Sequence, residues 1–536
     1  MSAPHSKTTA PEARNRPASV PDPGLLGFSE GFWMAIVALL AVAVYLPAIG
    51  FDLVYDSFAQ VVIDRFIHEP RHFWDVLTLR VLGMDVLDFN RPVNLFTLMV
   101  DSRLWGLNPA GYHFTNLLLH GATAALLFRW LLALVNRFWP ALIGALVFAA
   151  HPLNCEAVVE VGYREDLLAT FFLLAGLNAA LHFKPQERGG CWWPAALTVG
   201  ALFLSIASKE SGIAGPAVLA SYWFIFRRTE NWKPWLILIA ATGLAAGAFL
   251  AARFALEPKN SRIFIESPSW LADNWADLFL IQIRIWAAEF LRIVWPAGLC
   301  ADYNGYSIRN FGFLGSLLGV MVFGGVQVVA GWRNRLVVLG IAVFWFSLLP
   351  VSNFMPIYRP MADRFLYMPL IGVALMLAAL ISQIRAKPAW TPVAVAASML
   401  VVGGLGIATF LQEQPWRDDR SLWSETGRLN PYSFNAWLGL GYALLDRNAP
   451  TQAFEAFNHA SALARNGKGS AFGGLALAAE AMGKREDASK FLARAVALEP
   501  QFGDADLMVR AMLVTPSQAR RLAVIAARSR FSTHTL

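Results

Sequence analysis

Asp56 lies shortly after the first long apolar run of the chain, where a carboxylate can do chemistry at the edge of a membrane. A carboxylate in such a place can take a proton from a hydroxyl group or help to hold a divalent cation. Basic side chains at the ends of other apolar runs are suited to meeting a phosphate group. These basic residues are Arg91, Arg164, Lys209 and Arg364. The pattern predicts a general base acting on a hydroxyl beside a bound phosphate.

Other polar residues fall in the same predicted layer and are candidates for positioning a substrate. They are His151, Glu156, Glu165, Asp166, Glu210, Asp302, Tyr303 and Tyr367. Simpler interpretations exist for the whole set: a loop acid can be merely solvated, an arginine can snorkel to the interface, and a tyrosine can anchor a helix there. The sequence leaves both interpretations open for each residue.

The composition places most of the chain in a lipid bilayer. Hydrophobic residues make up 56% of the chain and charged residues only 15%, so a water-soluble surface is excluded. The formal charge of +7 does not indicate nucleic-acid binding, because Lys and Arg are scattered through short loops between apolar runs. The three cysteines are far apart and predict neither a zinc site nor a disulfide framework.

Eleven apolar runs are long enough to predict membrane helices. They lie near 32–50, 112–135, 138–153, 166–183, 192–208, 211–226, 234–256, 312–331, 336–353, 366–384 and 391–411. The segment 270–299 carries five charged residues among its apolar ones, so we predict an amphipathic interfacial segment there instead of a twelfth span.

Basic residues in alternate loops predict the orientation of these spans. With residues 1–30 as a disordered cytoplasmic tail and 31–411 as the transmembrane domain, the inside loops each collect basic residues, as the positive-inside rule expects. These residues are Arg137, Lys184, Arg188, Arg227, Arg228, Lys233, Arg333, Arg335, Arg385 and Lys387. The first external loop is then 50–111, and residues 412–536 lie outside the cytoplasm. If the host is a bacterium, the protein lies in the inner membrane with its C-terminus in the periplasm.

The last hundred or so residues predict a helical repeat. Trp437, Leu440, Gly441, Ala453, Phe457 and Ala460 fit the tetratricopeptide pattern, and Ala488, Leu492, Ala495 and Pro500 repeat its second half 35 residues later. Two clear repeats are fewer than the three usually needed, so we expect the helices near 422–429 and after residue 504 to act as caps. The repeat predicts either a platform for a protein or peptide or a structural lid.

Several segments together resemble a known family, the TMTC-like membrane proteins of the GT-C glycosyltransferase superfamily, which are related to protein O-mannosyltransferases. The matching segments are Phe51–Phe58, Asn90–Val93, Trp105–His120, His151–Asp166, Ser208–Gly212, Asp302–Ser307 and Ala362–Pro369. The resemblance implies an all-α, GT-C-like bundle that transfers a sugar from a polyprenyl-phosphate carrier to an acceptor hydroxyl outside the cytoplasm. It also implies that Asp56 is the catalytic or metal-binding carboxylate.

One position departs from the family pattern. The family usually carries two adjacent acids, whereas Asp56 is followed here by Ser57. A Mg²⁺ or Mn²⁺ cofactor at Asp56 would therefore need another carboxylate, such as Asp52 or Asp64. Two other functions stay open: a non-catalytic scaffold that presents its repeats, and a transporter of a lipid-linked substrate. Ionisable residues gathered at one face favour the enzyme over the transporter, since transporters place them at mid-membrane depth.

Overall fold

The computed structural model describes residues 27–185, 192–258, 274–303, 308, 311–354, 359–384, 391–464, 467–510 and 514–533. Within these ranges every regular element is a helix, so the predicted all-α fold class is confirmed. The predicted disordered tail falls outside the described residues except for its last four, and α1 begins at Glu30. The predicted cytoplasmic residues Arg188, Arg385 and Lys387 also lie outside the described residues.

The N-terminal three quarters of the chain forms fifteen described α-helices. They are α1 (Glu30–Val44), α2 (Phe73–Leu77), α3 (Pro92–Trp105), α4 (Pro109–Val135), α5 (Phe138–Ala149), α6 (Cys155–Val159), α7 (Arg164–Ala180), α8 (Trp193–Ser208), α9 (Ala214–Tyr222), α10 (Trp232–Leu256), α11 (Trp275–Val294), α12 (Phe313–Gly331), α13 (Arg335–Leu348), α14 (Pro369–Gln383) and α15 (Thr391–Glu413). Short 3-10 and π-helical turns connect several of them.

Each of the eleven predicted apolar runs coincides with a helix. Four described helices are long and apolar enough to cross a membrane: Pro109–Val135, Trp232–Leu256, Phe313–Gly331 and Pro392–Arg417. The pair Phe138–Ala149 and Pro152–Val159 passes the same test together, with a bend of 48°. Shorter apolar helices are Glu30–Val44, Trp193–Ser208, Arg335–Val351 and Pro369–Gln383. The chain is an integral membrane protein, and the count of eleven spans stays a prediction.

The two remaining runs differ from these helices. The run near 166–183 is α7, an unbroken helix whose first turn carries three charged residues, Arg164, Glu165 and Asp166. The run near 211–226 is split into α9 and a π-helical turn, Trp223–Arg227. Two of the charged residues at the start of α7, Glu165 and Asp166, belong to the site described below.

The segment 270–299 contains the predicted amphipathic helix, α11. Gln282 and Glu289 are buried against the protein, whereas Phe279, Leu291 and Val294 are exposed. An apolar outer face of this kind is suited to lipid. The position of α11 in the interface stays a prediction.

The C-terminal part of the chain consists of helix pairs. They are α16 (Asp419–Leu429), α17 (Phe434–Asp446), α18 (Pro450–Leu463), α19 (Gly469–Ala481), α20 (Arg485–Leu498), α21 (Ala505–Arg510) and α22 (Pro516–Thr533). Phe457 of α18 packs so closely on α17 that a Cβ atom at Gly441 would lie 2.5 Å from its ring. The small residue at this position lets the paired helices approach, as the predicted repeat requires. The domain bounds 31–411 and 412–536 stay predictions.

Candidate functional site

Asp56 lies at the end of a strained turn. The chain leaves α1 through a 3-10 turn, Leu46–Gly50, and Tyr55 then adopts φ = +57° in the left-handed region. A residue with a side chain occupies that region at a cost of about 1–3 kcal/mol, and it does so mainly where the surroundings enforce it. The turn presents the Asp56 side chain, which is half-buried, to the loop that precedes α7.

Tyr163 connects Asp56 to Arg364, one of the four basic residues predicted to bind a phosphate. Its hydroxyl group donates a hydrogen bond to Asp56 Oδ2 at 2.6 Å. The guanidinium carbon of Arg364 lies 3.7 Å from the centroid of the same ring, which is a close cation–π contact. The sequence-predicted base and one predicted phosphate ligand are therefore neighbours across a single tyrosine.

Glu156 and Arg364 form a buried ion pair. Arg364 Nη1 contacts Glu156 Oε1, and the Arg364 backbone N–H donates to Oε2 at 3.0 Å. Because the carboxylate binds both the guanidinium and the backbone, it fixes the direction of the arginine. Glu156, predicted to position a substrate, therefore positions Arg364 in the structure.

Lys209 lies close to Arg364. Its Nζ atom contacts Asp166 Oδ2, lies 3.8 Å from Glu165 Oε1, and is 5.5 Å from the centroid of Phe365. The Arg364 guanidinium lies 5.0 Å from the centroid of that same ring. Two predicted phosphate ligands thus meet around one phenylalanine.

Arg91 joins three carboxylates. Its Nη1 atom lies 3.0 Å from Glu165 Oε1 and 3.2 Å from Asp88 Oδ1, and Nη2 lies 3.5 Å from Glu210 Oε2. Arg253 Nη1 contacts the other oxygen of Glu210 at 2.9 Å. Since Glu165 also faces Lys209, Arg91 belongs to the same charged network as the other cations.

Two acids beside Arg91 differ in pKa. Burial raises the pKa of Asp88 to about 7, although the charge of Arg91 opposes the shift. Burial also raises the pKa of Glu210, but Arg91 and Arg253 outweigh it and lower the pKa to about 2. Near neutral pH, Asp88 therefore titrates while Glu210 stays ionised. Asp88 is a second strained residue, with φ = +50°.

Glu160 supplies a carboxylate beside Ser57, where the family pattern has a second acid. Ser57 N–H donates to Glu160 Oε1 at 2.6 Å, and Ser57 Oγ donates to Val54 O at 2.5 Å and lies 3.2 Å from Oε2. Burial and then the charge of Asp56 raise the pKa of Glu160 well above its usual value. Gly162 permits this approach, because a Cβ atom there would lie 2.9 Å from Glu160 Oε1. The two acids that the sequence offers as a second carboxylate are placed differently. Asp64 accepts from the Phe66 N–H at 2.9 Å, and Asp52 is exposed.

The described carboxylates near Asp56 do not by themselves form a group of three metal ligands. No group of three or more His, Cys, Asp or Glu residues that could hold a metal ion is present in the part of the chain that the structure describes. Glu160 Oε1 already accepts from the Ser57 N–H. The described carboxylates therefore do not form a complete set of protein ligands for a divalent cation.

Arg164 is not part of the charged network around Asp56. Its side chain is fully buried, pairs with Asp101 Oδ2 at 2.6 Å, and donates from Nε to Asn116 Oδ1 at 2.6 Å. It also donates to the carbonyl group of Tyr112 at 3.0 Å. These partners turn the guanidinium towards α3 and α4, so the structure gives it a packing role.

His151 and Tyr367 are also engaged inside the protein. The Leu153 N–H donates to His151 Nδ1 at 3.2 Å, so Nε2 carries the hydrogen and donates to the carbonyl of Ile293 at 3.0 Å. Tyr367 is fully buried, and its hydroxyl group lies 2.8 Å from His120 Nδ1. None of these hydrogen bonds connects His151 or Tyr367 to Asp56.

Asp302 and Tyr303 connect loops and helices. Asp302 Oδ1 pairs with Arg359 Nη1 at 2.6 Å, and Oδ2 accepts from Ser433 Oγ of the repeat region at 2.5 Å. The Tyr303 hydroxyl group donates to Asp363 Oδ1 at 2.9 Å. The structure uses both residues to dock neighbouring segments.

Asp88, Glu160 and Tyr163 are site residues that the sequence candidates lack. Asp88 stands three positions before Arg91, a spacing that suggests an ion pair. Glu160 and Tyr163 lie inside the matched segment His151–Asp166, but nothing in that segment shows which side chains point towards Asp56. Only the fold makes their contribution visible.

Comparisons with known proteins agree with the resemblance stated above. The chain is 26% identical over 448 residues to the protein O-mannosyl-transferase F38B6.6 of Caenorhabditis elegans, covering 80% of this chain and 62% of that protein. It is 23% identical over 419 residues to the protein O-mannosyl-transferase TMTC3 of Homo sapiens, covering 69% and 44%. The chain thus spans roughly half of the length of these curated relatives. The predicted resemblance to the TMTC-like family is confirmed.

No family model matches the chain. The crystal structure of ArnT from Cupriavidus metallidurans bound to undecaprenyl phosphate aligns with a TM-score of 0.40 and 12% identity, over 88% of this chain and 81% of that chain.

Proposed function

We propose that this chain, similar as it is to protein O-mannosyl-transferases, is a membrane glycosyltransferase that moves a sugar from a polyprenyl-phosphate carrier to an acceptor hydroxyl group. The contact that carries the proposal is Tyr163, which hydrogen-bonds Asp56 at 2.6 Å and stacks on Arg364 at 3.7 Å. A base and a phosphate-binding cation side by side are what displacement of a sugar from a phosphate requires. The names of the relatives support a protein hydroxyl group as the acceptor.

In the proposed reaction, Asp56 takes the proton of the acceptor hydroxyl group while the oxygen of that hydroxyl group forms a bond to the anomeric carbon of the sugar. The bond between that carbon and the phosphate oxygen breaks, and its electron pair stays on the carrier phosphate. Arg364, Lys209 and Arg91 offset the charge that develops there. Carboxylates hold each of these cations in place, so little reorganisation is needed during the reaction.

The experiment compares wild type with Asp56→Asn and with the matched control Asp85→Asn, which changes an exposed acid of the same loop. Each purified protein is given polyprenyl-phosphate-linked sugars, and release of the carrier phosphate is followed. We expect Asp56→Asn to lower turnover by about 10²-fold or more, as loss of a general base does. Asp85→Asn should match wild type.

Two results would contradict the proposal. Equal turnover by wild type and Asp56→Asn would remove Asp56 from the reaction. No turnover by wild type across a broad donor panel would favour the non-catalytic scaffold. Adding a chelator to the wild-type assay tests the cation expected from the sequence: loss of turnover would show that a cation takes part, held by Asp56 together with the donor phosphate.

We further propose that the protein lies in a bacterial inner membrane with its N-terminus in the cytoplasm and its C-terminus in the periplasm. The basic loop residues support this orientation. Reporter fusions after Arg228 and after Gln412 test it, because the two fusion points should lie on opposite sides. Reporters on the same side would overturn the topology.

A further inference from the structure

The turn that carries Asp56 is held by residues from the far end of the chain. Tyr55 N–H donates to Asp419 Oδ1 at 3.2 Å, and Asp52 N–H donates to the carbonyl of Arg417 at 3.0 Å. Asp419 is the first residue of α16, the helix that begins the repeat region. A segment of the repeat region therefore binds the backbone directly beside Asp56.

The Tyr55 ring is enclosed from two sides. The Trp423 ring of α16 meets it edge-on with centroids 5.0 Å apart, and the Arg359 guanidinium lies 4.9 Å from its centroid. Arg359 in turn pairs with Asp302, whose other oxygen accepts from Ser433, the N-cap residue of α17. Both contacts on the ring thus lead to the first two helices of the repeat region.

The buried core is continuous across this junction. Trp416, Leu422, Trp423 and Ala436 belong to the same cluster of buried apolar residues as the membrane helices α1, α4, α5 and α7. Burial on this scale fixes α16 against the membrane part. Because Tyr55 is left-handed, its backbone needs such external support to keep that conformation.

We propose that α16 is a working part of the catalytic unit, in which Asp419 and Trp423 are positioning residues for Asp56. Asp419 holds the Tyr55 amide group, Trp423 holds the Tyr55 ring, and together they keep the turn in the conformation that directs the Asp56 carboxylate towards Tyr163. The proposal rests on the proposed role of Asp56 as the base. It gives the repeat region a role in the chemical step itself.

The first test is independent of catalysis and measures hydrogen–deuterium exchange in the peptide 51–58 of the full-length protein. Asp419→Ala removes the acceptor of the Tyr55 amide group, so exchange in this peptide should become faster. Asp419→Asn keeps an oxygen acceptor and should stay closer to wild type. Glu425→Ala is the matched control on the same helix, since Glu425 pairs only with the exposed Arg428 among the contacts described, and it should change nothing.

The second test separates positioning from substrate binding by steady-state kinetics. In Asp419→Ala we expect kcat to fall by about tenfold or more with the donor KM within about twofold of wild type, because a misaligned base slows the chemical step. Asp419→Asn should recover part of kcat. Exchange in the peptides of α18 and α19 should stay at the wild-type rate, which shows that the repeat helices remain folded.

The outcomes separate the two proposals. Unchanged exchange in 51–58 after Asp419→Ala would overturn the positioning role, and so would an effect on the acceptor KM alone. A different pair of results would overturn the proposed function: faster exchange in 51–58 after Asp419→Ala, together with no turnover by the wild-type protein with any donor. The catalytic role of α16 would then be overturned as well.

Discussion

Replacing Asp88 by asparagine is expected to change how the stability of the protein depends on pH. Asparagine has the same shape as aspartate, and its amide oxygen can still accept from Arg91, which lies 3.2 Å from Asp88 Oδ1. Gln60 Nε2 donates to the other oxygen at 2.6 Å, and Gln60 Oε1 is buried with no hydrogen-bond partner among the described residues. Rotation of the Gln60 amide by half a turn would satisfy the new NH₂ group, so the substitution removes a charge with little change in packing.

The sign follows from the raised pKa of Asp88. Its pKa is about 7 in the folded protein against 3.8 for the free side chain, mainly because of burial. Between these two values the folded protein keeps a proton that the unfolded chain releases, so the free energy of unfolding falls as pH rises and levels off above pH 7. At about 1.4 kcal/mol per pKa unit, wild type loses about 2 kcal/mol between pH 5.5 and pH 7.

The assay is thermal unfolding of the detergent-purified protein at several pH values between 5.5 and 8.5. The unfolding midpoint of wild type should fall relative to that of Asp88→Asn by a few degrees as pH rises to 7, and the difference should then stay constant. Asp85→Asn, which changes an exposed acid of the same loop, should follow wild type. Parallel curves for wild type and Asp88→Asn would refute the electrostatic reasoning.

Three further predictions test other parts of the structure. Gly162→Ala places a Cβ atom 2.9 Å from Glu160 Oε1 and should lower turnover at least about tenfold by displacing the Asp56 turn, in the carrier-release assay; wild-type turnover would contradict the tight approach. Arg364→Ala should raise the KM for the donor by a larger factor than the KM for the acceptor, as measured by steady-state kinetics with each substrate varied. An unchanged donor KM would show that the guanidinium group does not bind the donor phosphate. Gly441→Ala places a Cβ atom 2.5 Å from the Phe457 ring and should destabilise the repeat region by about 1–3 kcal/mol, measured as faster hydrogen exchange in α17 and α18; unaltered exchange would contradict the repeat packing.

Much of the fold could be predicted because apolar length and small-residue spacing act locally. Every predicted apolar run is a helix, and Gly441 meets Phe457 as the repeat pattern requires. The π-helical turn that follows α9 could not be predicted, because no local residue pattern marks where a helix widens in this way.

The site could be predicted in part, since position along the chain places a residue in a layer but does not give its direction. Arg91 and Lys209 share Glu165 in one charged network, and Arg364 reaches Asp56 through Tyr163. Arg164, which also lies at the end of a run, points into the protein towards Asp101 because the rotation of α7 turns it there. The next residue, Glu165, faces Arg91 and Lys209 instead, so the orientation of α7 about its axis decides which side chain joins the charged network, and one sequence does not specify it.

The second carboxylate illustrates the same limit in another form. Sequence reasoning looked for it next to Asp56 or elsewhere in the first loop. The structure supplies Glu160 instead, 103 residues away along the chain, through the backbone and hydroxyl groups of Ser57. Glu160 lies beside Ser57 because the loop before α7 packs against the turn that carries Asp56, and no local sequence pattern predicts that contact.

The hydrogen bond between Tyr55 and Asp419 joins residues separated by 364 positions. During synthesis the first loop emerges early, whereas its partner helix α16 is made only after α15. The turn beside Asp56 therefore stays incomplete until the chain has been made beyond residue 419, since long-range contacts form late. Nascent chains that end before α16 would lack an ordered site.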